Sequence, residues 1–160
     1  ASGKRSSYFI DCKQITLTGP DLYHLSILIL DAIAEERIDA VGGMTLGADP
    51  IVGGTIAVAA QFDIPLRGFI VRKERKDRGM GDQIAGPVND GDRVVMLEDV
   101  VTTGGMTIKA IDAVQREYDV DITKVITVVD RMQGAREAIK DRGFDLQALF
   151  TIRDLGVTGQ

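Results

Sequence analysis

A doubly wound α/β domain with a mainly parallel sheet is the fold class that the sequence predicts, on three observations. The β-branched runs "AVGGM", "RVVML" and "KVITVVD" are apolar without alternation, as strands covered on both faces are. Segments of helical length and capping chemistry lie between them, and strands that alternate with helices imply parallel pairing through right-handed crossovers. The chain has 160 residues, 44% hydrophobic and 27% charged, enough for one well-buried core and too few for two, so residues 1–160 are expected to form a single domain.

The elements follow in order. "SYFIDCKQITL" has period-two character and predicts a first strand. Thr18 followed by Asp21 resembles a capping box and starts a helix over roughly Pro20 to Glu36. "AVGGM" is a short buried strand. Asp49 and Pro50 form a cap and first-turn pair for a helix through about Gln61, and "LRGFIVR" is the next strand. Lys73 to Asp92 is polar with no clear period. "RVVML" is a strand, Gly104 to about Tyr118 a helix, "KVITVVD" a strand, Ala135 to Arg142 a short helix and "LQALFTI" the last strand.

Composition excludes several classes of function. A net charge of -5 gives no general basic field for nucleic acid or anionic lipid, so any anion site must be local, and neither a nucleic-acid nor a membrane partner is expected. Cys12 is the single cysteine and can make neither an intrachain disulfide nor a cysteine-based zinc site, which fits a reducing, cytoplasmic setting. The most apolar stretch, "LSILILDAIA", contains Asp31 and is far shorter than the ~20 residues that span a bilayer. His24 lies in a predicted helix with no second histidine near it, so no metal cluster is expected there.

Ligands in such sheets bind beyond the carboxyl ends of the strands, which directs attention to 42–49, 72–86, 98–106 and 130–134. In "VVMLEDVVTTGGMTI" an apolar strand runs into Glu98 and Asp99, then into a turn of Thr102, Thr103, Gly104 and Gly105 that opens a helix. Backbone amides at a helix start suit a phosphate. Carboxylates would repel that phosphate unless they accept hydrogen bonds from neutral hydroxyls close by, and a sugar phosphate offers both groups. "TTGG" alone is equally a helix cap beside two solvated acids; the whole nine-residue combination is more specific. Neither a Walker loop nor a G-x-G-x-x-G turn after a strand is present. "RKERKDRGMGD" places Arg72, Lys73, Arg75, Lys76 and Arg78 within seven residues of an otherwise acidic chain, with Gly79 and Gly81 as hinge glycines, and favours a polyanion. "GGMTLGADP" has two readings: amides that hold an anion, or glycines that permit close packing with Asp49 at the cap.

Together, these segments resemble the phosphoribosyl pyrophosphate signature of type I phosphoribosyltransferases. Within them, "SGKRSSYFID", "VGGMTLGADPI", "VRKERKDRGMGD" and "VVDRMQG" follow the order of the orotate phosphoribosyltransferase family over nearly the whole chain. The resemblance implies a sheet of that family's kind with a small N-terminal hood. It also implies transfer of phosphoribosyl from its pyrophosphate to orotate with Mg²⁺, giving orotidine monophosphate and pyrophosphate in pyrimidine synthesis. The phosphoribosyl pyrophosphate site would comprise Arg72, Lys73, Lys76, Arg78, Glu98, Asp99, Thr102, Thr103, Gly104, Gly105 and Met106. Glu98 and Asp99 would take the ribose hydroxyls and Thr102 to Met106 the 5-phosphate. Phe9, Thr102 and Arg131 would bind orotate, with Lys76 and Asp99 as the catalytic pair. "GGMTLG" would be the pyrophosphate loop, and the cationic loop would reach into the partner subunit of a homodimer.

Departures from the family pattern are local. Arg78 stands where many members have histidine, Ala1 where some have lysine, and Thr45 and Leu46 where some have Tyr-Lys. The family's helical segment ahead of "SGK" is not in this sequence, so an incomplete hood is expected. The reaction needs no protein nucleophile: the two reactants are held in line, and the departing pyrophosphate is neutralised by loop cations and Mg²⁺. That ion is expected to be held mainly by substrate and water, without protein ligands. The guanidinium of Arg131 suits the carboxylate of orotate. Two alternatives are a phosphoribosyltransferase for another base and a non-catalytic regulator that senses phosphoribosyl pyrophosphate.

Overall fold

In the computed structural model, which describes residues 9–74 and 83–157, a six-stranded sheet is covered by helices on both faces. Its strands are β1 (Ala40–Met44), β2 (Arg67–Val71), β3 (Ile84–Ala85), β4 (Arg93–Val101), β5 (Asp121–Asp130) and β6 (Leu146–Thr151), in the order β3-β2-β1-β4-β5-β6. All neighbours are parallel except β2 and β3. The helices are α1 (Lys13–Thr16), α2 (Gly19–Ala32), α3 (Ala48–Ala59), α4 (Gly105–Glu117) and α5 (Ala135–Asp141). The predicted doubly wound class is therefore the observed one.

Two apolar layers hold it together. One joins α4 and α5 to the sheet through Ile111, Val114 and Ile139 against Phe69, Val94 and Met96. The other joins α2 and α3 through Leu25, Ile29 and Ile51 against Val41, Val95 and Leu97. Neighbours in β4 thus alternate between the two layers, which is why its sequence reads as an unbroken apolar run. The ring of Phe69 fills the space above Gly42, where an added Cβ would stand 2.4 Å from it.

The structure corrects four local expectations. Among the described residues of "SYFIDCKQITL", α1 stands in place of the predicted strand, because the buried residues Cys12 and Thr16 are four apart and the Asp11 carboxylate accepts the Lys13 amide at 3.2 Å, starting a turn. Asp49 is not the cap of α3; Gly47 holds that position, and Asp49 lies in the first turn and accepts the Thr45 hydroxyl at 2.9 Å. The strand read as "RVVML" runs on to Val101, so Glu98 and Asp99 belong to it. Thr18 does sit at the cap of α2, but its hydroxyl donates to the Gln14 carbonyl at 2.7 Å instead of capping. Among the described residues, no helix is long and apolar enough to cross a membrane.

β1 and β4 are adjacent and parallel, yet the chain leaves β1 towards β2 and leaves β4 towards β5. The order reverses between them, and the crevice beyond their carboxyl ends is where such sheets bind ligands. Phe69→Ala should lower unfolding free energy by about 3–5 kcal/mol in urea titrations, because the ring is 1% exposed and its cavity borders a rigid glycine strand.

Candidate active site

A cleft of about 770 Å³ opens at this reversal point. Its floor is the end of β4, from Glu98 to Val101; one wall is the turn Thr102–Gly105 with the first residues of α4, and the other is the loop Thr45–Gly47 after β1. Lys13, Lys73 and Arg131 bring cations to the rim.

The turn is built for an anion. Gly104 caps α4 with φ +78°, a conformation that glycine adopts without strain, and no side chain caps the helix. The first helical bond runs from the Ile108 amide to the Gly104 carbonyl at 2.9 Å, so the amides of Gly105, Met106 and Thr107 precede the helical ladder. Such amides, with the helix dipole behind them, attract negative charge.

The acids lie immediately beneath. Glu98 is 9% exposed and accepts the Thr107 hydroxyl at 3.2 Å. Burial chiefly, and then the neighbouring Asp99 charge, push its carboxyl from 4.5 up to about 8. Glu98 is therefore largely protonated at neutral pH, which lessens the repulsion that a phosphate a few ångströms away would meet. The Asp99 carboxylate accepts the Val100 amide at 2.8 Å and lies so close to Gly47 that any Cβ there would come within 2.5 Å of it. The glycine lets the β1 loop close on the acid.

Every described residue of the expected phosphoribosyl pyrophosphate set except Arg72 lines this cleft, as does Arg131. Arg72 closes the base of the cationic segment: its amide donates to the Gln83 carbonyl at 2.8 Å, and the Gln83 side-chain amide returns a bond to the Arg72 carbonyl at 2.7 Å. Glu117 at the end of α4 accepts the Gln83 and Ile84 amides at 2.9 and 3.3 Å, tying that base to the helix whose other end forms the turn. Phe9 is 85% exposed and is not part of the cleft wall. Lys76 and Arg78 lie outside the described residues.

Sequence reading missed Lys13 and Thr107. In the sequence Lys13 reads as a strand residue, whereas α1, held by Cys12 through its thiol's contact with the Asp99 carbonyl at 3.8 Å, carries it to the rim. Thr107 was legible only as a helix residue, although its place in the first turn of α4 aims it back at β4. The donors of the cleft are hard oxygens, from carboxyls and hydroxyls, which suit Mg²⁺. Among the described residues, no group of three or more His, Cys, Asp or Glu is gathered to hold a metal by itself.

The Phosphoribosyl transferase domain family matches residues 26–152. An orotate phosphoribosyltransferase of Rhodopirellula baltica is 40% identical, covering 98% of this chain and 84% of its own length. One of Aquifex aeolicus is 44% identical, with 97% and 84% covered. A crystal structure of the Mycobacterium tuberculosis orotate phosphoribosyltransferase in complex with 5-phospho-α-D-ribosyl 1-diphosphate superposes with a TM-score of 0.81 at 33% identity, covering 92% of this chain and 82% of that one.

The state of Glu98 gives a pH signature. The folded chain keeps a proton up to about pH 8 that the unfolded chain releases near 4.5, so stability falls as pH rises through that window. Glu98→Gln should abolish this part of the decline. Urea unfolding of both proteins from about pH 5 to about pH 8.5 checks it: the gap in favour of the variant should widen with pH, and parallel curves would contradict the buried, protonated acid.

Proposed function

From the premise that this chain belongs to the phosphoribosyltransferase family, and that it transfers phosphoribosyl to orotate as its relatives' names state, we propose how the cleft performs that transfer. One observation carries the proposal: an acid pair, an uncapped helix start and a guanidinium share one cleft at the point where strand order reverses.

The 5-phosphate sits on the amides of Gly105 and Met106 and the hydroxyls of Thr102 and Thr103, at the positive end of α4. The ribose hydroxyls lie over β4. Asp99 accepts from them; Glu98, protonated when the site is empty, can donate as well as accept. The Thr45–Gly47 loop and Lys73 face the pyrophosphate. Arg131 pairs with the carboxylate of orotate, with Thr102 at the edge of the base. Gripped at both ends, the sugar has its anomeric carbon between base and leaving group, and positioning of this kind replaces a protein nucleophile.

As the bond to pyrophosphate lengthens, positive charge grows on the sugar and negative charge on the leaving group. Asp99 serves the sugar side and Lys73 the other, where the family resemblance adds Lys76, so each developing charge meets its opposite. Mg²⁺, bound through the substrate's phosphates with water and at most Asp99 or Glu98 as protein oxygens, would add Lewis-acid neutralisation of the departing diphosphate. A homodimer in which the segment bearing Lys76 serves the partner's cleft, and a cytoplasmic location, belong to the same proposal.

Incubating the protein with Mg²⁺, phosphoribosyl pyrophosphate and orotate should bleach orotate absorbance and release pyrophosphate in equal amount; an unchanged spectrum from active-concentration protein rejects the proposal. Lys76→Ala should lower kcat by about 100-fold or more while changing orotate KM little, because its charge is needed most as pyrophosphate leaves. Steady-state kinetics with both substrates varied separates this from a ground-state role, in which KM would carry the loss.

A further inference from the structure

We propose that Asp130 is a positioning residue for Arg131: its buried carboxylate fixes the turn that presents the guanidinium to the base. This rests on Arg131 being the orotate-binding arginine.

Asp130 is the last residue of β5 and is 3% exposed. A carboxylate so deep needs a reason, since burying it costs several kcal/mol unless its oxygens find donors. One oxygen does: Oδ1 accepts the Met132 amide at 2.7 Å, closing a side-chain turn around Arg131. The backbone on either side is pinned to the sheet. The Arg131 amide donates to the Val101 carbonyl at 3.0 Å, and the Ile152 amide donates to the Asp130 carbonyl at 2.9 Å. Asp130 is thus held between β4 and β6 while its side chain dictates the path of the next two residues.

That path is one a non-glycine residue resists. Met132 has φ +56°, in the left-handed region that methionine seldom occupies, and the bond to Asp130 offsets its cost. The left-handed step, followed by Gly134 at φ +95°, sends the chain back towards α5 and leaves Arg131 at the apex on the cleft wall. Without the acceptor, Met132 would relax towards ordinary φ and the root of Arg131 would rotate. Bidentate pairing with a carboxylate tolerates such rotation poorly, because both N–H groups must stay in one plane with it. Loss should therefore fall on the base and spare the sugar phosphate, whose contacts lie on β4 and α4.

Initial-rate kinetics on purified single and double variants tests this. Asp130→Ala should raise orotate KM about five- to tenfold, the scale of one well-placed hydrogen bond, with KM for phosphoribosyl pyrophosphate within about twofold of wild type. Asp130→Asn, whose amide oxygen can still accept the Met132 amide, should recover most of the loss. In an Arg131→Ala background, Asp130→Ala should add nothing further to orotate KM. Should Asp130→Ala fold poorly by circular dichroism, Asp130→Ser, with a weaker acceptor at the same turn, takes its place and should give an intermediate shift. Parallel rises in both KM values, additivity with Arg131→Ala, or an Asn variant as impaired as Ala would overturn the inference. If Arg131→Ala itself leaves orotate KM unchanged, the assignment of Arg131 fails too; if Arg131→Ala shows its effect and Asp130→Ala is silent, only the positioning role falls.

Discussion

The structure turns on an enforced proximity: two carboxyl groups at the end of a central strand stand directly beneath a helix start that attracts anions. Neither arrangement is unusual alone. Together they would repel a phosphate unless something else occupies the acids, and the only economical solution is a ligand that carries alcohols and a phosphate on one frame. Strand reversal between β1 and β4 opens the crevice, Gly47 lets the β1 loop approach Asp99, and Gly104 turns the chain so that the α4 amides face the same space. Each of these features serves that one juxtaposition.

Burial resolves the electrostatic conflict. Glu98 lies between the strand and α4, taking a hydrogen bond from Thr107, and its desolvation keeps it protonated across the neutral range. Asp99 is less deeply enclosed and lines the open cleft beside it. Two acids adjacent in sequence thereby sit in different environments. The same helix joins both parts of the cleft, since its first turn lines it and Glu117 at its far end grips the base of the cationic segment through Gln83.

Much of this was legible in the sequence because it follows from local rules. Unbroken β-branched runs such as "RVVML" signal strands covered on both faces, and a threonine-glycine turn after a strand signals a helix start with free amides. Arg131 lines the cleft, at the place that the family resemblance of "VVDRMQG" implies. What stayed hidden depends on packing. Cys12 and Thr16 fit alternation on paper, and only their joint burial reveals a helix. β3 is two residues long, too short for any period to register. Lys13 reaches the cleft through α1, a helix of four residues that reads as part of a strand in the sequence. Neither the protonation of Glu98 nor the hold of Asp130 on Met132 has a sequence signal, because each arises from where a side chain is enclosed and not from its neighbours along the chain.

The central claim is that the acids grip the sugar's hydroxyls while the turn grips its phosphate, and titration calorimetry with ribose 5-phosphate and its 2,3-dideoxy analogue tests it most directly. Wild-type protein should bind the analogue at least about tenfold more weakly, as expected for lost hydrogen bonds to a charged acceptor, and Asp99→Asn should erase most of that preference. Equal affinity of the wild-type protein for the two sugars would contradict the account.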